Sequence, residues 1–224
     1  MIVLRQSVKR FIFENNIKKF QTMTPLIHRR IRHFLIVGLL SVLSACSNAP
    51  APWQTTNMTG HLPDLAFTLT DANHNKAVTA AGFHGQVVVL NFGFTHCPDV
   101  CPMSLHQLQS ALSKLDEVGA KQVQVLFATV DPQRDGIAEM KAYTENFGQT
   151  IGLTGDRAGL ILLARRYKVG VEFGDADEQG HYDVSHSSVT YVFDRNGAVR
   201  LLIRPDDTPE AIAIDLARLV TEGM

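Results

Sequence analysis

The stretch "QVVVLNFGF", residues 86–94, constrains the fold more than any other part of the chain. Apolar residues follow one another with no polar alternation, and valine fills three successive positions. A strand with one face in water alternates apolar and polar residues. A strand that is apolar throughout is covered on both faces, as in the middle of a parallel sheet. This strand leads directly into "THCPDVCP", residues 95–102, and then into "MSLHQLQSALSKLDEV". There Leu105, Leu108, Leu112 and Leu115 recur at helical spacing. The local order is therefore buried strand, loop with two cysteines, helix.

The rest of the domain reads in the same terms. "LAFTLTDANHNKAVT" alternates on both sides of a polar turn at Asp71 to Asn75, which predicts a short hairpin. "VQVLFATVD" is a second buried strand, and "GIAEMKAYTENF" a helix with Ile137, Met140, Tyr143 and Phe147 on one face. "RAGLILLARRYKV" predicts a further helix capped by Asp156. "SSVTYVFDRNGAVRLLI" predicts two strands around a tight turn at Arg195-Asn196-Gly197. "DTPEAIAIDLARLV" predicts a closing helix with Thr208 as N-cap and Pro209 in its first turn. This order makes a parallel βαβ unit followed by an antiparallel hairpin and a last helix. The expected class is α/β with a thioredoxin-like fold, a central mixed sheet flanked by helices. The cysteine pair then sits at a helix N-terminus, where free N–H groups and the helix dipole favour thiolate.

The N-terminus has a different character. "HRRIRHFLIVGLLSVLSAC" is a basic run followed by about a dozen mainly apolar residues, too few for a permanent span of roughly 20. It suits the core of a signal peptide, and "LSAC", Leu43 to Cys46, resembles a bacterial lipobox in which the cysteine thiol takes a diacylglycerol. The expected organisation is a lipoprotein signal over 1–46, with Met23 as an alternative start, a flexible tether over 47–60 and the thioredoxin-like domain over 61–224. The expected location is a Gram-negative-type bacterium, as an exported, membrane-anchored lipoprotein facing the periplasm. Ser47 after Cys46 leaves the choice of inner or outer membrane open. The net charge of −1 provides no basic footprint for nucleic acid.

With Cys46 lipidated, the exported domain keeps Cys97 and Cys101 as its only cysteines. Structural zinc wants four protein ligands and an iron–sulfur cluster needs more sulfur than this pair supplies. Cu(I) accepts two or three soft ligands, and two sulfurs with one imidazole nitrogen satisfy it. Nine histidines are present. His28 and His33 fall in the signal, and His61, His74 and His84 in polar loops. His106 falls on the outer side of a helix. His96 adjoins Cys97, where adjacent side chains diverge. His181 and His186 remain, and His186 precedes a strand that lies beside the first central one in a thioredoxin-like fold. There it either closes a Cys2His site or merely begins the strand; the spacing does not choose between them.

Three segments taken together, "GFTHCPDVCP", "VDPQRD" and "YDVSHSSVTYVFDRNG", resemble the Sco/SenC family of copper-binding thioredoxin-like proteins. The resemblance covers Leu65 to Val220. It implies a copper metallochaperone that binds one copper ion, Cu(I) or Cu(II), and delivers it to the binuclear copper site of cytochrome c oxidase. It implies metal ligands at Cys97, Cys101 and His186, with Asp99 and Asp131 as outer residues. Implied partners are the copper-site subunit of the oxidase, other copper carriers or thiol reductants, and the membrane through the lipid on Cys46. Many family members carry Asp-His-Ser at the histidine. Here Ser185-His186-Ser187 stands instead, with Asp183 as the nearest preceding carboxylate.

The alternative is an enzyme: a thiol–disulfide oxidoreductase in which Cys97 attacks a partner disulfide and Cys101 resolves the mixed disulfide. The absence of proline in Ser187 to Thr190 and the three-residue gap between the cysteines weigh against a general disulfide oxidoreductase. A thiol peroxidase would want threonine where Phe94 stands, three positions before Cys97. A purely structural staple closing so short a loop would add little stability.

Overall fold

The computed structural model describes residues 51–222, so the signal segment and Cys46 lie outside the described residues. The elements are β1 (Thr56–Asn57), β2 (Thr68–Asp71), β3 (Lys76–Thr79), β4 (Val87–Gly93), α1 (Val100–Leu112), α2 (Glu117–Ala120), β5 (Val123–Thr129), α3 (Ile137–Thr144) and β6 (Thr150–Thr154). They continue as α4 (Arg157–Arg166), β7 (Val171–Phe173), β8 (Val184–His186), β9 (Thr190–Phe193), β10 (Val199–Ile203) and α5 (Pro209–Thr221). Eight strands form one sheet in the order β1-β10-β9-β4-β5-β6-β2-β3. β4, β5 and β6 run parallel, and β9 joins β4 antiparallel. β7 and β8 form a separate two-stranded ribbon.

All seven residues of β4 are buried, as its composition requires. Their alternation divides the core into two layers. Val87 and Val89 pack with Leu105 and Leu108 of α1, Met140 of α3, and Ile212 and Leu216 of α5. Val88, Leu90 and Phe92 pack with Leu160 and Leu163 of α4 and with Tyr167. The mixed sheet flanked by helices agrees with the class read from the sequence. The caps agree as well: Asp156 accepts from the Gly159 N–H and Thr208 from the Ala211 N–H.

Several details differ. β6, "TIGLT", has a composition that hides a strand: threonine at both ends and glycine in the middle. Its end hydroxyls bond backbone carbonyls of Phe147 and Asp135 at 2.7 and 2.9 Å, which lets them be buried. Ile137 is 39% exposed, not core, because α3 turns Met140 and Thr144 inward. α1 begins at Val100, so Cys101 lies in its first turn and not in the loop before it. The β9–β10 turn runs from Asp194 to Ala198, and the Asp194 carboxylate accepts the N–H groups of Asn196 and Ala198. Gly197 there takes φ +81°, where a side chain would be strained.

The folded unit begins at Trp53, inside the stretch expected to be tether. The cause lies far away in sequence. Asp215 of α5, 2% exposed, accepts the N–H groups of Gln54 and Thr55 and the Thr55 hydroxyl, the last two at 2.8 Å. β1 then adds to the sheet edge along β10.

Candidate metal centre

The cysteine loop is built at the carboxyl end of β4. Gly93 is required there: a Cβ would lie 2.5 Å from the Phe127 ring and 2.7 Å from the Cys101 Sγ. The next four residues make a turn closed by the Cys97 N–H on the Phe94 carbonyl at 3.2 Å. The Cys97 Sγ then accepts the Cys101 N–H at 3.4 Å, one of the free donors of the α1 N-terminus. The two thiols have opposite characters. Burial opposes ionisation of Cys97, but N–H groups of Cys101, Asp99 and Val100 and the Cys101 thiol outweigh it and hold its pKa below the ordinary thiol value. Cys101 is 2% exposed, and burial pushes its pKa far up, with the neighbouring Cys97 sulfur and the Asp135 charge adding to the effect.

His186 ends β8, where it pairs with Val171 of β7. The ribbon carries its Nε2 to 3.5 Å from the Cys101 Sγ. That separation matches the span of two metal–ligand bonds, about 2.3 Å to sulfur and about 2.0 Å to nitrogen, opened near the tetrahedral angle. Its Nδ1 lies 3.1 Å from the Ser187 carbonyl oxygen. A carbonyl only accepts, so Nδ1 carries the proton and Nε2 keeps its lone pair toward the sulfur. Burial lowers the His186 pKa, and the Ser187 carbonyl offsets part of that, so the ring is neutral at pH 7. The imidazole is thus oriented by the backbone of the next residue; Asp183 is exposed. The Phe94 ring meets the His186 ring edge-on at 6.0 Å.

The two outer aspartates read from the sequence take different places. Asp99 is exposed at the start of α1, and its side chain makes no cap hydrogen bond. Asp131 is fully buried; it pairs with Arg134 and accepts the Tyr182 hydroxyl at 2.7 Å. Arg134 also donates to the Tyr182 carbonyl at 3.0 Å and lies 4.0 Å above its ring. Asp131 therefore secures the ribbon four residues before His186.

Asp135, the last residue of "VDPQRD", has a role that its local sequence does not reveal. It is fully buried and accepts the Thr95 N–H at 2.9 Å, the Thr95 hydroxyl at 2.6 Å and the Thr129 hydroxyl at 2.7 Å. It thus fastens the cysteine loop to the end of β5. An aspartate directly after a paired arginine was the available signal, but nothing local distinguished it from a solvated one. His61, His74, His84, His106 and His181 are all exposed. Among the described residues no group of three His, Cys, Asp or Glu side chains already stands at metal-ligand spacing. The arrangement offers a Cys101–His186 pair in contact, with the half-buried Cys97 sulfur accepting the Cys101 N–H beside it.

The chain has relatives in sequence and in fold. The sequence profile of the SCO1/SenC family matches residues 57–221. The bovine mitochondrial SCO2 homologue is 41% identical over 133 residues, which is 58% of this chain and 50% of that protein. The chain thus spans about half the length of the mitochondrial relatives it matches. Bradyrhizobium japonicum ScoI, solved with copper bound, superposes with a TM-score of 0.63 at 36% identity, covering 70% of this chain and 98% of that one. A SCO1/SenC family lipoprotein of Bacillus anthracis superposes with a TM-score of 0.58 at 28% identity, covering 70% and 94%. The profile takes in the cysteine loop, the Asp131–Asp135 turn and the His186 ribbon in one continuous match, and the chain belongs to the SCO1/SenC family.

Proposed function

We propose that this chain is a membrane-anchored copper metallochaperone. It holds one copper ion as cargo through Cys97, Cys101 and His186 and delivers it to the binuclear copper site of cytochrome c oxidase. The observation that carries the reading is the Cys101–His186 contact. A sulfur and an imidazole nitrogen 85 positions apart in sequence meet at 3.5 Å, and the nitrogen facing the sulfur carries no proton of its own. Two sulfurs and an imidazole suit Cu(I), and added oxygen ligands would suit Cu(II). Bradyrhizobium japonicum ScoI with copper bound supports the metal. The lipobox at Cys46 and the Bacillus anthracis lipoprotein support attachment by lipid, with the domain facing the periplasm of a Gram-negative-type bacterium. Release proceeds by ligand exchange: partner sulfurs replace Cys97, Cys101 and His186 one at a time, and copper keeps its charge throughout.

The test is anaerobic copper titration of the reduced full chain in detergent, beside His186→Ala and the double variant Cys97→Ser/Cys101→Ser. One equivalent is expected in the wild type, weakened on the order of 100-fold or more in both variants. A wild type with no tight copper binding overturns the reading. Equal binding by His186→Ala overturns the Cys2His set while leaving the sulfurs.

A second reading rests on the difference between the thiols. Cys97 is half-buried with its pKa held down, and Cys101 is buried with its pKa pushed up, the pattern of an attacking and a resolving thiol. The Cys97 thiolate would attack a partner disulfide, releasing one partner thiolate. Cys101 would then attack the Cys97 sulfur, releasing the second and leaving Cys97–Cys101 oxidised, to be reduced by an external thiol reductant. The substrate would be the oxidase cysteines that later receive copper. Trapping of a mixed disulfide by Cys101→Ser, and not by Cys97→Ser, is the expected sign.

A further inference from the structure

One residue meets all three of the proposed ligands. Phe94, 7% exposed, stands just past the end of β4 and packs in the same apolar layer as Phe92. Its carbonyl accepts the Cys97 N–H at 3.2 Å and so closes the turn that presents that sulfur. Its own N–H faces the Cys101 sulfur and offsets part of what burial does to that thiol. Its ring meets the His186 ring at 6.0 Å between centroids, with the two planes at 83°. The Arg134 guanidinium lies over the Phe94 ring at 5.6 Å and also donates to the Tyr182 carbonyl at 3.0 Å. Thr95, the next residue, is fixed to Asp135 through its N–H and its hydroxyl. The backbone of Phe94 is therefore anchored on the core side, and its ring reaches across to the ribbon. His186 needs such a contact. Its Nδ1 bonds the Ser187 carbonyl, which belongs to the next residue of the chain and moves with the imidazole. Its Nε2 has the Cys101 sulfur at 3.5 Å, a weak partner while it is a thiol.

Resting on the copper reading above, we infer that Phe94 is a positioning residue: its ring holds the His186 imidazole against Cys101 and thereby sets how fast copper leaves. Release begins when His186 swings away with the ribbon. The copper–nitrogen bond breaks, a partner thiol binds in its place, and that thiol's proton passes to solvent. Copper keeps its charge, and the imidazole leaves neutral. The Phe94 ring opposes the swing, because the edge-on contact is lost with it. An aromatic pair of this geometry is worth roughly a two- to tenfold factor in an equilibrium. That is enough to slow escape and too little to prevent delivery.

The test compares Phe94→Leu with Phe92→Leu in the full chain in detergent. Both remove the same atoms from the same apolar layer, and Phe92, 2% exposed, meets Tyr167 at 6.5 Å. In the metal-free reduced chain, Phe94→Leu is expected to speed iodoacetamide alkylation of Cys101 about two- to tenfold, as the imidazole leaves the sulfur. In the Cu(I)-loaded chain it is expected to speed release to excess bathocuproine disulfonate by a similar factor. Phe92→Leu is expected to leave both rates near wild type. Urea unfolding is expected to rank the two the other way, with the greater loss of stability in Phe92→Leu, the more buried position. A purely structural role predicts that the rates follow stability, and rates that do so overturn the inference. Unchanged release in Phe94→Leu, with wild type loading normally, also overturns it and leaves the copper site standing. A wild type that takes up no copper overturns the proposed function instead, and the alkylation rates then decide by themselves whether Phe94 holds His186 on Cys101.

Discussion

The two cysteines and the histidine come from parts of the molecule built in opposite ways. Cys97 and Cys101 follow a strand buried along its whole length between β5 and β9, and Asp135 ties their loop to the core. His186 comes from a ribbon of two three-residue strands that pair only with each other. Residues 174–181, between those strands, are all exposed. The ribbon is held by Val171 and Val184 packed on the core, the Phe94–His186 ring contact, the Asp131–Arg134–Tyr182 cluster, Arg157 stacked 4.4 Å from the Phe173 ring, and the backbone of Ser187 on Gly170. Two of the proposed ligands therefore follow the core strand, and the third stands on a two-stranded ribbon outside the main sheet, the kind of element expected to open at lower cost. Under the copper-carrier function proposed above, this division would serve release. A site with every ligand fixed in the core would hold its cargo against the partner as well.

The comparison can be broken at its strong side first. The two thiols should differ in alkylation rate by on the order of 100-fold or more, since the thiolate is the reacting species. Iodoacetamide should take Cys97 first, reaching its plateau rate at a lower pH than a free thiol, because its pKa is held down. Cys101 should stay slow through that range, because burial pushes its pKa up. Equal rates, followed by mass spectrometry, would refute the assigned asymmetry. Asp135→Ala should give the largest loss of stability. It leaves the Thr95 N–H and the hydroxyls of Thr95 and Thr129 without their acceptor, each worth about 1–3 kcal/mol where buried. Urea unfolding measures this.

Gly93→Ala should come next, at about 1–3 kcal/mol, because the new methyl overlaps the Phe127 ring and the Cys101 sulfur. It should also disturb the thiols, read as a changed Cys101 alkylation rate. The weak side should respond least in stability. Tyr182→Phe removes one hydrogen bond to Asp131, about 1 kcal/mol. Its effect should be local: faster hydrogen exchange at Val184–His186 with β4 unchanged, and faster alkylation of Cys101 as the covering imidazole lifts away. Exchange accelerated equally in both regions would show that the ribbon is no separate unit.

Much of this was legible beforehand, for identifiable reasons. β4 and β5 were readable because strands covered on both faces must be apolar at every position. α4 and α5 were readable because Asp156 and Thr208 stand where caps stand. β6 was not, since its polar ends are satisfied by carbonyls brought from Phe147 and Asp135. The docking of Trp53–Asn57 was not, since its acceptor, Asp215, lies some 160 positions on. At the site, Asp99 and Asp131 stood out as aspartates in motifs, yet only Asp131 is engaged, and the aspartate that fastens the cysteine loop is Asp135.

What the sequence determined by itself was local: a buried strand, two thiols at a helix start, and an order of elements that allows one kind of sheet. Hydrophobic periodicity, capping and turn chemistry act over a few residues, and a few residues suffice to read them. The tertiary structure alone decided which histidine nitrogen faces Cys101, which aspartate fastens the loop, and why the two thiols ionise so differently. Those properties depend on burial and on hydrogen bonds between residues far apart in the chain, and the strength of such interactions is set by position in space, which no local pattern encodes.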